Sequence, residues 1–575
     1  MAVYDSDASL PALPLPMLNI TAAFCKQQMR PFCPEEMWDT VQRCVDELKG
    51  QGQLLQKELR EHAESMGGNA SWLRPLWDNE VLGSRRPLPL HRAYSLQLST
   101  HLWGSQAFPA LIMGMSRFFH RLSREDLPVE SGDAGPLSMD SLRWLAYERI
   151  PGRHTDRLFP LALSGRIEIA VVHRGHWFAV GVSDGSGRFI SSTSMAKALH
   201  AIRNIAPNLV IESAVGALTA AERDEADRLR TRLLEHSVNR VSLHTLEKCL
   251  FVVALDDAYQ GDNFGHNLLA GNAACRWFDK SIHLIEGPRG EVGVRFNDPG
   301  CGMDLLLYAL AQMDEDLQQA LHHVEENTTP AGVRHLPFYV DSLLSKDISA
   351  CRERYDDTIG KMSSASLVIP DLSKGAIKAI GCAPRLFTIL ALQAAYYRLT
   401  SGIAAVYEPV SGRRYYQGVV GGNHPADSEA VAFIKALGGD GGLRELYAAA
   451  ETTDRDRLER CAKGQSPEEH LFGIKTMAEL MEHSPRPLSL PDLFAEPVWL
   501  ACGERTMSVS EISTSYTAYA GIGPQEDDGL GIGFVIRDDG LYLSVAANTG
   551  CKVSAREFVD AVEEIGGIML AGLRS

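Results

Sequence analysis

The run RIEIAVVHRGHWFAVGV, residues 166–182, holds two β-rich stretches about Arg174-Gly175, and GIGFVIRDDGLYLSVAA, residues 531–547, repeats the pattern about Asp539-Gly540. Each reads as a hairpin, with apolar and β-branched residues flanking a turn dipeptide. Helical periodicity stands between them. After Pro34, EEMWDTVQRCVDELKGQGQLLQKEL sets Met37, Val41, Cys44, Val45 and Leu48 on one stripe, an amphipathic helix with proline in its first turn. Helices are also expected over 220–236, 302–321 and 384–399. Mixed strands and helices on this scale predict an α/β fold.

A chain of 575 residues with 45% hydrophobic content exceeds what one core usually supports, so two domains are expected. No internal sequence repeat and no low-complexity linker marks a boundary. The formal charge of -17 has no compensating basic block, which argues against nucleic acid as a partner. No apolar run is long enough to cross a bilayer. Eleven scattered cysteines with no CxxC pair read as reduced thiols, and the acidic, proline-rich start does not read as a targeting peptide, so a cytoplasmic protein is expected.

Three features are discounted. Gly438 to Gly442 lacks the Lys-Ser/Thr of a phosphate loop and reads as a loop. His322 and His323 have no carboxylate or thiol at metal-ligand spacing and read as a solvated face. There is no GxSxG nucleophile elbow.

A succession of segments carries more. LPALPLP at 10–16 leads to WLRPLWDNEVLGSRRPLPLHRAY at 72–94, then to ERIPGRHTD at 148–156, GALTAAERDE at 216–225, NRVSLHTLEKCLFVVALDD at 239–257 and CRWFDKSIHLI at 275–285. LALQAAYYRL follows at 390–399, YEPVSGRRYYQG at 407–418, GQSPEEHLFGIK at 464–475 and ISTS at 512–515. In this order, across nearly the whole chain, they resemble the choline/carnitine acyltransferases. The resemblance implies two similar chloramphenicol-acetyltransferase-like α/β domains with an active-site tunnel at their interface, residues 72–340 forming one and residues 1–71 with 341–575 the other.

In that family a Glu-His-Ser-x-x-Asp-Gly motif supplies the histidine that deprotonates the attacking alcohol or thiol, and an acid that orients the ring. The corresponding stretch here is VRFNDPGCGMDLLLYAL, with Asn297 at the glutamate, Asp298 at the histidine and Gly302 at the orienting acid. An aspartate has an ordinary pKa of about 3.9, roughly 2.6 below that of histidine, which weakens it as a base. Burial in a tunnel would restore basicity. Asp298 is therefore read as either a catalytic acid or base or the first residue of an Asp-Pro-Gly turn, with Cys301 and Asp304 as secondary candidates.

The resemblance also implies an oxyanion donor at Ser515, within Ser513-Thr514-Ser515, and places Lys374 and Lys378 where the family holds the 3'-phosphate of coenzyme A. At the acceptor end Tyr407 matches the family's tyrosine. Val420 replaces the threonine, and Glu469 replaces the arginine that grips the carnitine carboxylate. A buried glutamate would repel that carboxylate, so carnitine is not the expected acceptor.

Three readings follow. The first is acyl transfer from a coenzyme A or carrier-protein thioester to another hydroxyl or amine, without a tightly bound cofactor. The second is a tunnel reassigned to a reaction such as cyclisation of a polyketide-like substrate in secondary metabolism, with Asp298 as acid or base and a polyketide synthase as neighbour. The third is a non-catalytic scaffold.

Overall fold

Both expected hairpins form. Strands Glu168–His173 and His176–Gly181 pair with His173 opposite His176, and the intervening Arg174 and Gly175 have φ of 51° and 79°, the left-handed pair a two-residue turn demands. In the second hairpin Arg537 is opposite Gly540, so the turn residues are Asp538 and Asp539 and the expected Asp539-Gly540 turn is shifted by one. Gly540 is instead a paired residue at φ 150°, where a Cβ would meet Ile369 O at 2.9 Å. The neighbouring strand thus approaches too closely for a side chain.

A computed structural model describes residues 3–90, 93–99, 107–161, 166–184, 188–206, 214–261, 263–298, 302–322, 331–439, 441–512, 514 and 516–574, with backbone only for 314–322. Two mixed sheets organise it. The first runs Val333–Leu336, His176–Gly181, Glu168–His173, Val252–Leu255, Ile282–Glu286, Val292–Asn297, Ala93–Leu98, Thr517–Ile522. The second runs Ser363–Ile369, Gly540–Ala547, Leu530–Arg537, Met507–Glu511, Val406–Val410, Gly421–Asn423.

These sheets repeat one topology. From Ala93–Leu98 to His176–Gly181 the pairings are antiparallel, antiparallel, parallel, parallel, antiparallel. From Ser363–Ile369 to Gly421–Asn423 the same series recurs, and corresponding strands occur in the same chain order. A helix follows the first strand of each unit, Ala107–Ser123 and Pro384–Thr400, and another follows the last, Met303–His322 and Ala555–Gly572. Within each unit the two helices pack together over the sheet. The fold is α/β with two similarly built domains.

One strand leaves its own half. Thr517–Ile522 follows Met507–Glu511 of the second sheet, yet pairs with Ala93–Leu98 of the first. Near the other end of the chain, Leu18–Met29, Trp38–Gln51 and Gln53–Ser65 share an apolar cluster with Pro467–Met481 and Pro497–Gly503.

The single helix expected after Pro34 is two helices behind a short 3-10 turn at Glu35–Met37. They break at Gly52, where a Cβ would lie 2.9 Å from Leu48 O and 3.2 Å from Leu18 Cδ2. Val41, Val45 and Leu48 are buried as the stripe requires, whereas Met37, held in the turn ahead of the helix, is 43% exposed. The helix expected over 220–236 is Arg223–Leu233, because a 3-10 turn takes Val215–Ala220. Gly438 and Gly442 lie in a loop between helices Ser428–Ala436 and Leu443–Ala462, with Asp440 outside the described residues. The His322 side chain and His323 also lie outside them. Among the described residues no cysteine is bridged, no cluster of metal-ligating side chains occurs, and no helix is long and apolar enough to cross a membrane.

Candidate functional site

The segment at the family's catalytic motif ends the strand Val292–Asn297 and leads into the helix Met303–His322. Asn297 is held on both sides of its amide: Nδ2 donates to Phe278 O at 2.8 Å and Lys280 O at 3.2 Å, and Oδ1 accepts from Arg295. Asp298 Oδ1 accepts from the Gly302 N–H at 3.0 Å, just ahead of the helix. Asp298 also lines a cavity of about 70 Å³ with Arg149, Asp279 and Ser281. Pro299, Gly300 and Cys301 lie outside the described residues. Asp304, a secondary candidate, is spent on holding the halves together: Oδ2 accepts from Ser411 Oγ at 2.7 Å, and Arg413 Nη1 lies 3.4 Å away. Arg413 is 3% exposed. It also donates to Ser138 O at 2.8 Å and pairs with Glu130 at 2.7 Å.

Three of the segments that carried the resemblance meet in one buried ion network. Asp156 accepts from Arg149 at 2.6 Å and Arg223 at 2.8 Å, and Arg223 reaches Asp279 at 2.8 Å. Lys280 pairs with Glu148 at 2.6 Å, and Trp277 Nε1 donates to the same carboxylate at 3.0 Å. Burial pushes the Glu148 carboxyl up to about 8 and Asp279 up to about 6, despite their cations. Phe278 and Lys280, whose carbonyls hold Asn297, belong to this network. ERIPGRHTD, GALTAAERDE and CRWFDKSIHLI thus form the network that holds Asn297, next to Asp298.

Of the expected acceptor positions, Val420 lies against Gly302. A Cβ built on Gly302, itself at φ 88°, would be 2.7 Å from Val420 Cγ2. Beyond Val420, the strand Gly421–Asn423 pairs with Val406–Val410, which carries Tyr407. Glu469 Oε1 accepts from the Gly422 N–H at 2.7 Å. Burial first, and the adjacent Glu468 carboxylate second, push Glu469 up to about 7.

Sequence reasoning missed Glu468, Arg505 and His424. Arg505 Nη2 donates to Glu468 Oε1 at 2.6 Å, and its guanidinium lies 3.9 Å over the Tyr407 ring. His424 Nε2 is 3.1 Å from Glu468 Oε2, and its ring centroid is 5.9 Å from that of Tyr407. Glu468 is enclosed by protein yet 34% exposed, as in a cleft that water reaches. Burial would raise its carboxyl, but Arg505 and the His424 hydrogen bond outweigh that and hold it at about 2. The available signal was the Glu468-Glu469 pair, since two adjacent partly buried acids require a cation. Spacing does not say which one.

Of the residues expected on the thioester side, Ser513 and Ser515 lie outside the described residues. Thr514 Oγ1 accepts from Thr517 N at 3.0 Å, within the crossover from the second sheet to the first. In the same crossover Tyr516 OH donates to Leu307 O at 3.3 Å, tying it to the helix after Asp298. Lys374 and Lys378 are exposed on the short helix Lys374–Ala379, and neither forms an ion pair among the described residues.

A family model described as Choline/Carnitine o-acyltransferase matches residues 13–564. The chain is similar to the carnitine O-acetyltransferase of Mus musculus, 27% identical over 581 residues that cover 94% of this chain and 90% of that protein. It is similar to the choline O-acetyltransferase of Sus scrofa, 26% identical over 599 residues that cover 97% and 92%. Among solved structures, the first condensation domain of the calcium-dependent antibiotic synthetase overlaps 88% of this chain and 95% of that chain at 11% identity and a TM-score of 0.36, too slight an overlap to carry an inference.

Proposed function

From the premise that this chain belongs to the choline/carnitine O-acyltransferase family, we propose that it transfers an acyl group from a thioester, on coenzyme A or a carrier protein, to the hydroxyl or amine of an acceptor other than carnitine. The observation that carries this reading is the charge at the acceptor positions. Arg505, the guanidinium over Tyr407, is already neutralised by Glu468, and Glu469 stands beside them. A carnitine carboxylate entering here would meet carboxylates and a spent cation, at a cost larger than its remaining hydrogen bonds return.

The donor end supports a coenzyme A thioester. Lys374 and Lys378, exposed and without carboxylate partners among the described residues, are available to a phosphate. Ser515 would donate to the oxyanion of the tetrahedral intermediate and Ser513 would support it, roles that come from the family motif. The hydrogen bond from the Gly302 N–H supports a structural role for Asp298 over a catalytic one.

The test is a calorimetric titration with coenzyme A and acetyl-coenzyme A, followed by thioester loss with alcohols and amines. Binding with acceptor-dependent turnover is expected. Turnover with carnitine alone would overturn the acceptor assignment. Absence of both binding and turnover would remove coenzyme A as the donor, and absence of turnover with a carrier-bound acyl thioester as well would overturn the transfer reading in favour of a reassigned tunnel or a scaffold.

A further inference from the structure

A cavity of about 20 Å³ lies where the two halves of the chain meet. One half lines it with Ser95, Gln97 and His266, the other with Ser364, Ser366 and Ser544, and Tyr519 comes from the strand that crosses between them. Much of the remaining wall is carbon, from Leu268, Leu269 and Val545. Several polar groups are spent on each other. Ser364 Oγ is 3.3 Å from His266 Nδ1 and 3.4 Å from Asn263 Nδ2, and Ser366 Oγ is 3.0 Å from Ser544 Oγ. Ser95, 2% exposed, has no side-chain hydrogen bond among the described residues, and neither do Gln97 and Tyr519, which stand opposite each other on paired strands. A space that admits about one water-sized group, edged by polar atoms without partners, leaves capacity for one hydrogen-bonding oxygen.

The place of the cavity in the fold says which substrate reaches it. In the strand Ala93–Leu98, Ala93 is opposite Asn297, next to Asp298, and Leu98 is opposite Thr517, two residues after Ser515. Ser95 and Gln97 project from between those ends, Ser95 two residues, or about 7 Å, from the first. Ser364 and Ser366 belong to Ser363–Ile369, one edge of the second sheet and the strand that leads into Lys374–Ala379. The residues expected at the acceptor end, Tyr407 and Val420, are at the opposite edge, on Val406–Val410 and beside Gly421–Asn423. The cavity is therefore on the donor side.

We propose that this cavity receives an oxygen carried by the acyl chain of the donor, so that the transferred group is a short acyl chain bearing a hydroxyl or keto group a few bonds from the thioester. The assignment rests on the acyl-transfer reading and gives the class of acyl group that reading left open. Ser95 Oγ and the Gln97 amide each donate and accept, so they pair with either kind of oxygen. A plain hydrocarbon chain would cover both and leave them unpaired, which selects against it. A long chain does not fit a space of this size.

The experiment compares thioester loss from 3-hydroxybutyryl- and butyryl-coenzyme A by the full chain, with ethanolamine and 2-phenylethanol as probe acceptors. The hydroxylated donor is expected to be preferred in kcat/KM by about tenfold or more. In Ser95→Ala combined with Gln97→Met that ratio is expected to fall to about one, through slower use of the hydroxylated donor. No preference in the unmodified chain, or a preference that survives in the double variant, overturns the assignment while leaving acyl transfer standing. Calorimetry with coenzyme A alone separates the two sources of an oxygen on this side. If the double variant loses as much affinity for coenzyme A as it loses preference for the hydroxylated donor, the oxygen belongs to the pantetheine arm and the acyl assignment falls. Absence of thioester loss from either donor in the unmodified chain overturns the assignment together with the coenzyme A donor on which it rests.

Discussion

The α-carbon of Gly302 faces the side chain of Val420, with only 2.7 Å between a Cβ built on the glycine and Val420 Cγ2. The two are the residues that the sequence reading sets at the family's orienting acid and acceptor threonine, and the structure brings them into contact. A larger side chain at either position meets the other.

Gly302→Asp, which would reintroduce the family's acid, is therefore expected to destabilise. The residue is at φ 88°, and the new carboxyl would also crowd Asp304, whose Oδ1 lies 2.8 Å from the built Cβ. A loss of about 1–3 kcal/mol is expected, partly relieved by Val420→Ala in the double variant. Urea unfolding of the four proteins in that cycle checks it. An unchanged midpoint in Gly302→Asp would contradict the contact.

Asp298→Asn should keep the oxygen that accepts the Gly302 N–H, and Asp298→Ala should lose it. Stability within about 0.5 kcal/mol of the parent is expected for the first and a loss of about 1 kcal/mol for the second. Thioester turnover should survive in Asp298→Asn. Collapse of turnover in a folded Asp298→Asn protein would make Asp298 a catalytic acid or base and not a turn residue.

Lys374→Ala combined with Lys378→Ala should weaken coenzyme A binding by roughly tenfold to a hundredfold, the worth of one or two charge-assisted phosphate contacts. Dephospho-coenzyme A, which lacks the 3'-phosphate, should bind parent and variant alike. Calorimetry with both ligands separates a phosphate contact from general damage.

Glu469 is pushed up to about 7 from an ordinary 4.5. In the unfolded chain it ionises first as pH rises, so its contribution to stability is complete below about 4.5 and is lost as pH climbs through 7. Glu469→Gln keeps the hydrogen bond from Gly422 without the charge. It should be about as stable as the parent at pH 5 and more stable at pH 8, by about 2 kcal/mol. Glu148 and Asp279 titrate with the same sign in both proteins and cancel in the difference. Equal denaturation midpoints at pH 8 would refute the burial of that charge.

The elements legible in the sequence are those whose cause is local. Arg174-Gly175 announces its hairpin because few residues take two successive left-handed conformations, and Pro384 starts its helix because proline fits the first turn. The motif order was legible too, because buried ion networks such as Arg223 with Asp156 and Asp279 admit few substitutes. The break at Gly52 was not, since it depends on Leu18 of another helix.

The sequence alone determined the family and the α/β class, and it supplied the expectation that 298, 420 and 469 depart from the family's site pattern. Only the tertiary structure decided that the halves repeat one six-strand topology without sequence similarity, because backbone hydrogen bonds set strand order while many apolar residues fill a core equally well. It alone decided that Thr517–Ile522 completes the other half's sheet. It also brought Arg505 to Glu468 across 37 positions and His424 to Glu468 across 44, making one carboxylate an anchored anion and its neighbour Glu469 a group that titrates near 7. Charge and proton affinity follow from distance and burial, and those exist only once the chain has folded.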